Sequence, residues 1–435
     1  MAARDTALRV LIACRKRAAW SNGVLKDMIA KDKLDKREAA LATRLCYGTM
    51  QNKLLLDFYL GQLVTGSIKR VQPIVRDVLR LGLYQLYFTD KIPDSAAVNE
   101  AVEQAKKYGG KKAAGLVNAV LRNAIRQKDA LQKPVDLATK YSHPQELLDA
   151  LADYVGKDRL ETMLQANNAA PLTVIQVNPL KASAEQVKQS LEEEEVAVAS
   201  HPWLENCFVL ANSGNIEQLA AYQQGLFYVQ DAASRLAVLC AGVQPGMRVL
   251  DCCAAPGGKS MAAAIDMKNT GKVRSADIHR HKTTIIEKNA QRLGLACIVV
   301  REQDATENHP AWLQKMDVVL ADVPCSGYGI IRKKPDIRYK KLSDAARLPE
   351  TQLKILCKQS EYVKPGGVLL YSTCTLLYRE NEGVVTSFLR AHPDFALEEL
   401  PLPTEFSQDH SGMLTLVPGE HETDGFFICK MRRKA

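Results

Sequence analysis

Short apolar segments alternate with helix-prone stretches throughout the second half of the sequence, beginning after Pro245-Gly246. The apolar segments are Arg248–Cys252, Val273–Ala276, Cys297–Val300, Val318–Ala321 and Val368–Tyr371. Such alternation predicts consecutive β-α-β units, which place parallel strands in one sheet with helices on its faces. Two later segments, Met413–Val417 and Phe426–Lys430, are separated by a short turn region and predict an antiparallel hairpin. We therefore expect an α/β fold with a doubly wound sheet.

The first predicted strand runs directly into a turn of small residues and then into a helix. The segment reads Val249-Leu250-Asp251-Cys252-Cys253-Ala254-Ala255-Pro256-Gly257-Gly258-Lys259-Ser260. Small residues let the backbone approach a ligand closely at the carboxyl end of a strand. A P-loop would need a glycine at position 253, and a dinucleotide-binding loop would need Gly-x-Gly-x-x-Gly. Position 253 is Cys and the turn has one adjacent glycine pair, so neither motif fits.

Carboxylates follow the next two strands. Asp277 ends the second strand, 20 residues after Gly257, where a carboxylate can accept hydrogen bonds from ribose hydroxyls. Asp304 follows the third strand, close to the expected position of an adenine amino group. Either aspartate alone could equally be a helix cap. Together with the turn, the two strand-end carboxylates favour an adenosyl cofactor.

Two cysteines follow the fourth and fifth strands. The fourth strand leads into Asp322-Val323-Pro324-Cys325-Ser326-Gly327, and the fifth leads into Ser372-Thr373-Cys374-Thr375. These strands lie side by side in a doubly wound sheet, so both thiols should overhang the crevice that contains the small-residue turn Cys253–Lys259. We call this segment the cofactor turn. A buried core position is the better interpretation for Cys14 or Cys240. It is the weaker one for Cys325 and Cys374, because strand ends at this edge face ligands.

The first third of the chain predicts a basic helical bundle. From Val75 to Leu86 and from Val117 to Ile125, apolar or small residues recur at helical spacing. Residues 1–140 contain 26 lysines and arginines against 13 aspartates and glutamates, whereas the remainder contains 32 against 36. A basic segment on a near-neutral body favours a polyanionic partner, with nucleic acid ahead of a membrane surface. Solvated helix faces are the alternative for any single lysine.

The remaining composition argues for a cytoplasmic protein without metal. No apolar run approaches the roughly 20 residues that span a bilayer, and Leu8–Cys14 is too short and too basic in its surroundings for a signal peptide. The 11 cysteines are odd in number and scattered, which does not fit a secreted disulfide scaffold. The absence of C-x-x-C and C-x-x-H spacings argues against zinc.

The N-terminal third resembles the NusB-type RNA-binding helical domain over roughly residues 3–128. The resemblance rests on four sequence segments in order: Ile92-Pro93, Val98-Asn99-Glu100-Ala101-Val102-Glu103, Lys107-Tyr108-Gly109-Gly110 and Val117-Asn118-Ala119-Val120-Leu121.

The cofactor turn, the carboxylates and the two thiols together resemble the Sun/Fmu-type RNA cytosine-C5 methyltransferases. With the NusB-like domain, nearly the whole chain is similar to the B-type members, which act on bacterial 16S ribosomal RNA. The resemblance implies a class I methyltransferase fold and S-adenosyl-L-methionine as cofactor. It implies Cys374 as the nucleophile and Cys325 as the residue that assists product release. The cofactor-binding residues that it implies are Cys253, Ala254, Ala255, Pro256, Gly257, Gly258, Lys259, Asp277, Asp304 and Asp322.

The chemistry of cytosine methylation explains why a thiol is needed. C5 of cytosine is too weak a nucleophile to accept a methyl group until another nucleophile has added to C6. A thiolate suits this step because it attacks strongly and can later leave. Asp322 would hydrogen-bond the Watson–Crick edge of the base, which would be flipped out of any stack into the pocket.

Two positions depart from the family pattern. Lys282 occupies the position, five residues after Asp277, where family members often have Arg, so the resemblance assigns it no cofactor contact. Val323 replaces a more usual small residue or Pro, so the resemblance does not define the shape of the Cys325 loop.

We expect three parts: a NusB-like domain (1–130), a linker with a small α/β subdomain (131–235) and a methyltransferase domain (236–435). The expected partner of this monomer is 16S ribosomal RNA, either free or in an early small-subunit particle. Methylation of tRNA or another RNA, methylation of an exocyclic amine, and a non-enzymatic RNA-binding role are the alternatives. An amine methyltransferase would carry Asp/Asn-Pro-Pro-aromatic after the fourth strand, where this chain has Asp322-Val323-Pro324-Cys325.

Overall fold

The computed structural model describes residues 2–17, 21–406 and 411–435. The chain divides into two compact units, the first comprising Met1–Asp153 with Ile331–Lys341 and the second Tyr154–Ile330 with Leu342–Ala435. The division into three parts with boundaries near residues 130 and 235 stays a prediction.

The first unit is helical, as predicted. Its helices are α1 (Ala2–Arg17), α2 (Ser21–Lys31), α3 (Lys36–Gln51), α4 (Lys53–Leu63), α5 (Pro73–Phe88), α6 (Asp94–Gly109), α7 (Lys111–Arg126), α8 (Leu137–Lys140) and α9 (Gln145–Val155), with 3-10 turns at Ile68–Arg70 and Pro335–Tyr339. The apolar positions chosen from their spacing form the core, and Leu79, Leu83, Val117 and Leu121 are fully buried.

The segment Ile331–Lys341 belongs to the first unit, although the sequence predicted it to be part of the methyltransferase domain. Arg338 in this segment is fully buried, and burial lowers the pKa of its guanidinium to about 10. Its Nη1 donates hydrogen bonds to the carbonyl oxygens of Gln51 and Tyr141 at 3.1 and 3.3 Å. These bonds attach the segment to backbone that precedes it by nearly 200 residues or more.

A buried ion-pair network joins α4 and α5. The guanidinium of Arg80 contacts both oxygens of Asp57 at 2.7 Å and one oxygen of Asp77 at 3.0 Å. Burial opposes the charge on Arg80, but the two carboxylates raise its pKa above the ordinary value. Asp77 is itself only 4% exposed and also accepts a hydrogen bond from Arg15 at 2.8 Å.

We expect Arg80→Met to lower the free energy of unfolding by about 1–3 kcal/mol, because Asp57 and Asp77 lose the hydrogen bonds of the guanidinium while Asp77 keeps its bond to Arg15. Chemical denaturation of the full chain, followed by helical circular dichroism, measures the change. The matched control is Lys106→Met, which removes an exposed pair with Glu103 and should cost only about 0–1 kcal/mol. Equal effects of the two substitutions would contradict the argument.

The second unit contains a small antiparallel sheet. The stretch of chain that forms this sheet contains α10 (Lys157–Asn168), β1 (Thr173–Val177), α11 (Ala184–Glu193), β2 (Ala197–Ser200), β3 (Cys207–Ala211), α12 (Ala220–Gln223) and β4 (Phe227–Val229), with a 3-10 turn at Ile216–Gln218. The strand order is β2-β3-β1-β4. The strands β2 and β4 are only four and three residues long, too short for a recognisable pattern in the sequence.

The second unit also contains the predicted doubly wound sheet. Its elements are α13 (Ala232–Ala241), β5 (Arg248–Asp251), α14 (Gly258–Asp266), β6 (Lys272–Asp277), α15 (Arg280–Leu293), β7 (Ile298–Glu302), β8 (Met316–Asp322), α16 (Leu348–Ser360), β9 (Val363–Thr373), α17 (Glu382–Ala391), β10 (Phe395–Leu397), β11 (Met413–Leu416) and β12 (Phe426–Arg433). Further 3-10 turns are Pro310–Trp312, Leu342–Ala345 and Tyr378–Glu380.

The strand order of the large sheet confirms the predicted topology. The order is β10-β12-β9-β8-β5-β6-β7, and β11 pairs with β12. Strands β5 to β9 run parallel to one another, whereas β12 pairs antiparallel with β9, β10 and β11. The order of the strands along the chain therefore reverses at β5, with β6 and β7 on one side and β8 and β9 on the other, and ligands bind at such a switch point. In the described part of the chain, no helix is long and apolar enough to cross a membrane.

Candidate active site

The predicted site residues lie along one edge of the large sheet, at the carboxyl ends of its parallel strands. The turn Cys253–Lys259 follows β5, Asp277 ends β6, and Asp304 comes two residues after β7. Asp322 ends β8, and Cys374 comes directly after β9. Because β5 to β9 are neighbours in one parallel sheet, these segments occupy a continuous edge.

The small-residue turn is held by its own backbone. The amide of Ala254 donates to the carbonyl of Ala276 at 2.8 Å, and the amide of Gly257 donates to the carbonyl of Ala254 at 2.7 Å. Gly257 has φ of +107°, a left-handed conformation that side chains rarely adopt. The Ala255–Pro256 peptide bond is cis. The turn thereby presents backbone rather than bulky side chains at the start of α14.

A buried carboxylate supports the turn from beneath. Asp251 is 1% exposed and accepts a hydrogen bond from Ser260 at 2.7 Å, and Ser275 donates to Ser260 at the same distance. Burial raises the pKa of Asp251 to about 7, despite the hydrogen bond from Ser260 that acts in the opposite direction. The chain of three side chains links β5, α14 and β6 directly below the candidate cofactor turn.

The carboxylates after β6 and β7 make local contacts with backbone. Asp277 accepts hydrogen bonds from the amides of Ala255 at 3.3 Å and His279 at 3.0 Å. Asp304 accepts from the amide and the hydroxyl of Thr306, both at 2.8 Å, as in a capped turn. Asp304 therefore caps the turn that follows β7, as one of the two interpretations expected. Asp277, by contrast, is bonded to the cofactor turn itself.

Lys259 and Asp322 form an ion pair in the crevice. Their Nζ and Oδ2 atoms lie 2.7 Å apart, and the other oxygen of Asp322 accepts a hydrogen bond from Ser372 at 2.8 Å. The side chain of Lys259 is 8% exposed and that of Asp322 is 31% exposed. The pair connects the cofactor turn with the two strands that lead to the cysteines.

The two cysteines are in direct contact. The sulfur atoms of Cys325 and Cys374 lie 3.1 Å apart, and the amide of Cys374 donates to the sulfur of Cys325 at 3.3 Å. Both side chains are half-buried. The hydrogen bond to Cys374, together with burial, raises the pKa of the Cys325 thiol well above its usual value. At neutral pH, Cys325 is therefore a thiol that can donate to the sulfur of Cys374.

Comparison with known proteins identifies the family. The family described as "16S rRNA methyltransferase RsmB/F" matches residues 238–432, the NusB family matches residues 1–126, and a family described as a "Methyltr_RsmF/B-like, ferredoxin-like domain" matches residues 143–217. A protein of Bacillus subtilis named "Probable ribosomal RNA small subunit methyltransferase B" is 40% identical over 99% of this chain and 98% of its own length. The chain belongs to the RsmB/F family of ribosomal RNA methyltransferases.

Further relatives agree with this assignment. Ribosomal RNA small subunit methyltransferase B of Vibrio cholerae is 32% identical, with 93% of this chain and 92% of its own length covered. The crystal structure of the protein PH0851 matches the fold with a TM-score of 0.82 at 25% identity, over 99% of this chain and 98% of that one. The fold class and the enzyme class predicted from the sequence, an RNA methyltransferase, are therefore confirmed.

Glu380 is a buried site residue of this methyltransferase that sequence reasoning missed. Its Oε2 accepts hydrogen bonds from the amide of Ser326 and from the side chain of Gln352, both at 2.9 Å. The same Gln352 amide donates to the carbonyl of Pro324 at 2.9 Å. The two side chains thereby hold the backbone on both sides of Cys325. The signal in the sequence was weak, because Glu380 follows the fifth strand among other polar residues.

Asn381 holds the Cys374 loop in a corresponding way. Its side-chain oxygen accepts from Thr373 at 2.6 Å, and its Nδ2 donates to the carbonyl of Thr375 at 3.1 Å. Gly329 closes the other side, since its amide donates to the carbonyl of Cys374 at 2.9 Å. A Cβ on Gly329 would lie 2.0 Å from the carbonyl oxygen of Gly425, so only glycine fits there. Both cysteine loops are fixed by buried polar contacts.

Val323 and Lys282 were the two departures from the family pattern. Val323 is buried, and its amide donates to the carbonyl of Ser372 at 3.2 Å, so the Cys325 loop leaves β8 in regular pairing. The half-buried Lys282 donates its backbone amide to the carbonyl of His279 at 2.9 Å as α15 begins. That bond involves no side-chain atom of Lys282.

Proposed function

We propose that the chain transfers a methyl group from S-adenosyl-L-methionine to C5 of a cytosine in 16S ribosomal RNA, with a transient bond between Cys374 and C6. The contact of 3.1 Å between the sulfurs of Cys325 and Cys374 carries this proposal. A methyltransferase that acts on an amine or a hydroxyl has no need of a thiol at the strand ends, whereas methylation of a pyrimidine carbon needs a nucleophile that adds to C6, and a second thiol beside it can assist its departure.

The crevice fits the proposed cofactor. A Cβ on Gly258 would lie 3.2 Å from Nε2 of the side-chain amide of Gln230, a tight contact that glycine avoids. Both polar atoms of that amide are buried and have no hydrogen-bond partner among the described residues. Residues 253–259 would hold the cofactor with backbone amides, and Asp277 and Asp304 would accept hydrogen bonds from its hydroxyl and amino groups. The bound cofactor supplies an electrophilic methyl group.

Cys374 acts as the nucleophile in this scheme. Its thiolate forms a bond to C6 of cytosine, and the electron pair of the C5–C6 double bond makes C5 able to accept the methyl group. The thiol of Cys325 donates a hydrogen bond to the sulfur of Cys374 and so stabilises its anionic form. Asp322, oriented by Lys259 and Ser372, accepts hydrogen bonds from the Watson–Crick edge of the base.

Product release reverses the addition. A base removes the proton from C5, its electron pair restores the C5–C6 double bond, and the sulfur of Cys374 leaves as a thiolate. Cys325 assists this step, because a donor beside the departing sulfur stabilises the developing negative charge. The loop positions fixed by Glu380 and Asn381 keep the two sulfurs in contact throughout.

The helical first unit is proposed to bind the RNA substrate. The positive excess of the chain lies in residues 1–140, and a polyanion is the partner that such an excess favours. Phosphate contacts from this unit would position the RNA, whereas the pocket selects the base.

Mapping of the modified base tests the function. Unmodified 16S ribosomal RNA is incubated with the purified chain and S-adenosyl-L-methionine, and C5-methylcytosine is located by bisulfite sequencing. We expect one specific cytosine to become resistant to conversion, and the same cytosine to lose its methyl group in cells without the gene. A methyl group found on an amine, on a ribose or only on another RNA would overturn the proposal.

A further inference from the structure

One face of the large sheet lacks a full helix at its β6–β7 side. Helices α14 and α15 cover the opposite face, where Val249 and Val273 join the core. On the open face, the connection from β7 to β8 contains only the turn Pro310–Trp312. Val299 in the middle of β7 is consequently 46% exposed.

Three arginines cross this open face in a diagonal row, one on each of β5, β6 and β7. Arg248 pairs with Lys272, two residues before Arg274, and Arg301 pairs with Ala276, two residues after it. Strands lie about 4.8 Å apart and rise about 6.6 Å in two residues, so successive arginines start about 8 Å apart. We call Arg248, Arg274 and Arg301 the arginine row.

The arginine row has no carboxylate partner. None of its guanidinium groups forms an ion pair within residues 2–17, 21–406 and 411–435. The positive charge of Arg248 helps to lower the pKa of Asp317. The carboxylate of Asp317 is, however, already paired with Lys364 and accepts a hydrogen bond from the backbone amide of Arg248. The row is therefore a surface of uncompensated positive charge.

A cavity of about 250 Å³ lies over the part of the row formed by Arg274 and Arg301, between β6, β7 and the Pro310–Trp312 turn. Its lining includes Arg274, Val299, Arg301, His309 and Trp312. The ring of His309 stacks on Trp312 with centroids 3.9 Å apart, and its Nε2 lies 2.7 Å from Nη1 of Arg301. Because a guanidinium can only donate, Nε2 is the acceptor and the ring proton of the neutral imidazole is on Nδ1.

A guanidinium donor beside this cavity is left without a partner. Nη1 of Arg274 is buried and has no hydrogen-bond acceptor in the described part of the chain. A buried donor without an acceptor is costly, so the cavity suits a ligand that brings acceptors only. The oxygens of a phosphodiester are such acceptors, and arginine binds them with paired hydrogen bonds.

We propose that the arginine row and its cavity bind the sugar–phosphate backbone of the RNA substrate, with one phosphate accepting hydrogen bonds from Arg274 and Arg301. The inference rests on the proposed RNA substrate and adds a second contact on the methyltransferase sheet itself. An acidic protein is the competing occupant, but evenly spaced arginines beside a small polar cavity match a regular chain of phosphates better. These contacts are independent of base identity and serve to position the RNA.

Charge reversal at Arg301 tests the proposal, because its side chain is exposed and its loss should leave the fold intact. The matched control is Arg390→Glu, an equal charge change at an exposed position on α17. Binding of deproteinised 16S ribosomal RNA to the full chain is measured over a series of salt concentrations. We expect Arg301→Glu to weaken binding about tenfold or more, and to reduce the slope of log K against log salt by about 0.7 per phosphate lost.

Further readouts separate this inference from the proposed function. The charge-conserving Arg301→Lys should lose less affinity for RNA than Arg301→Glu and keep most of the salt dependence, although lysine cannot form the paired hydrogen bonds of arginine. The KM for S-adenosyl-L-methionine should not change in any of the variants. Equal RNA affinities of Arg301→Glu and Arg390→Glu would overturn the inference. The same result is expected if the row binds an acidic protein instead of RNA. The position of the methyl group made by the unsubstituted chain is mapped in parallel. A methyl group on any atom other than C5 of cytosine would reject the proposed function, while the effect of Arg301→Glu on RNA binding would still stand.

Discussion

Replacement of Cys374 by alanine is expected to abolish methyl transfer to RNA, with a loss on the order of 10⁴-fold or more, as for removal of a nucleophile. Alanine cannot add to C6, so C5 stays too weak a nucleophile to accept the methyl group. The fold should be preserved, because the loop is held by Asn381 and Gly329 rather than by the sulfur. Transfer of a radiolabelled methyl group to 16S ribosomal RNA measures the effect.

The control for this experiment is Cys357→Ala. Cys357 is also half-buried and lies on α16, away from the strand ends that form the crevice. It should retain the activity of the original chain. Affinity of the Cys374→Ala chain for S-adenosyl-L-methionine, measured by calorimetry, should also be unchanged, since the cofactor turn lies on β5. Residual activity of Cys374→Ala close to that of Cys357→Ala would show that the nucleophile is a different group.

The sequence predicted the sheet because its signals are local. Each parallel strand is an apolar segment, four of the five are followed by a helix, and each strand end carries a polar or thiol side chain within a few residues. The strand order of a doubly wound sheet predicts that Cys325 and Cys374 lie at the same crevice, although 49 residues separate them. The contact between their sulfur atoms depends in addition on the conformation of the two loops.

The supports of the site could not be predicted in this way, because their partners are determined by packing. Glu380 acts on Ser326 across 54 residues, and no spacing rule connects them. Asp251 was part of the quoted motif, but its burial and its hydrogen bond from Ser260 depend on how α14 packs on the sheet. The segment Ile331–Lys341 gave no signal that it would belong to the helical first unit. Strand β4 has only three residues, too few for a period to be recognised.

Replacement of Cys325 by alanine is expected to trap the RNA on the protein. Cys374 should still add to C6 and C5 should still be methylated, since the nucleophile is intact. The sulfur of Cys374 would then lack the neighbouring donor at 3.1 Å, and its departure should become slow. We therefore expect about one methyl group transferred per protein molecule, followed by a stall, and a covalent RNA–protein species on denaturing gels.

The double variant Cys325→Ala/Cys374→Ala identifies the residue that carries the RNA. If the adduct forms through Cys374, the double variant should give neither an adduct nor methylated RNA. The conservative variant Cys325→Ser keeps a donor next to Cys374, so it should accumulate less adduct than Cys325→Ala. Continued multiple turnover by Cys325→Ala without any adduct would remove the release role from Cys325. Since Glu380 and Gln352 hold the Cys325 loop through backbone contacts, such a result could not be attributed to a displaced loop.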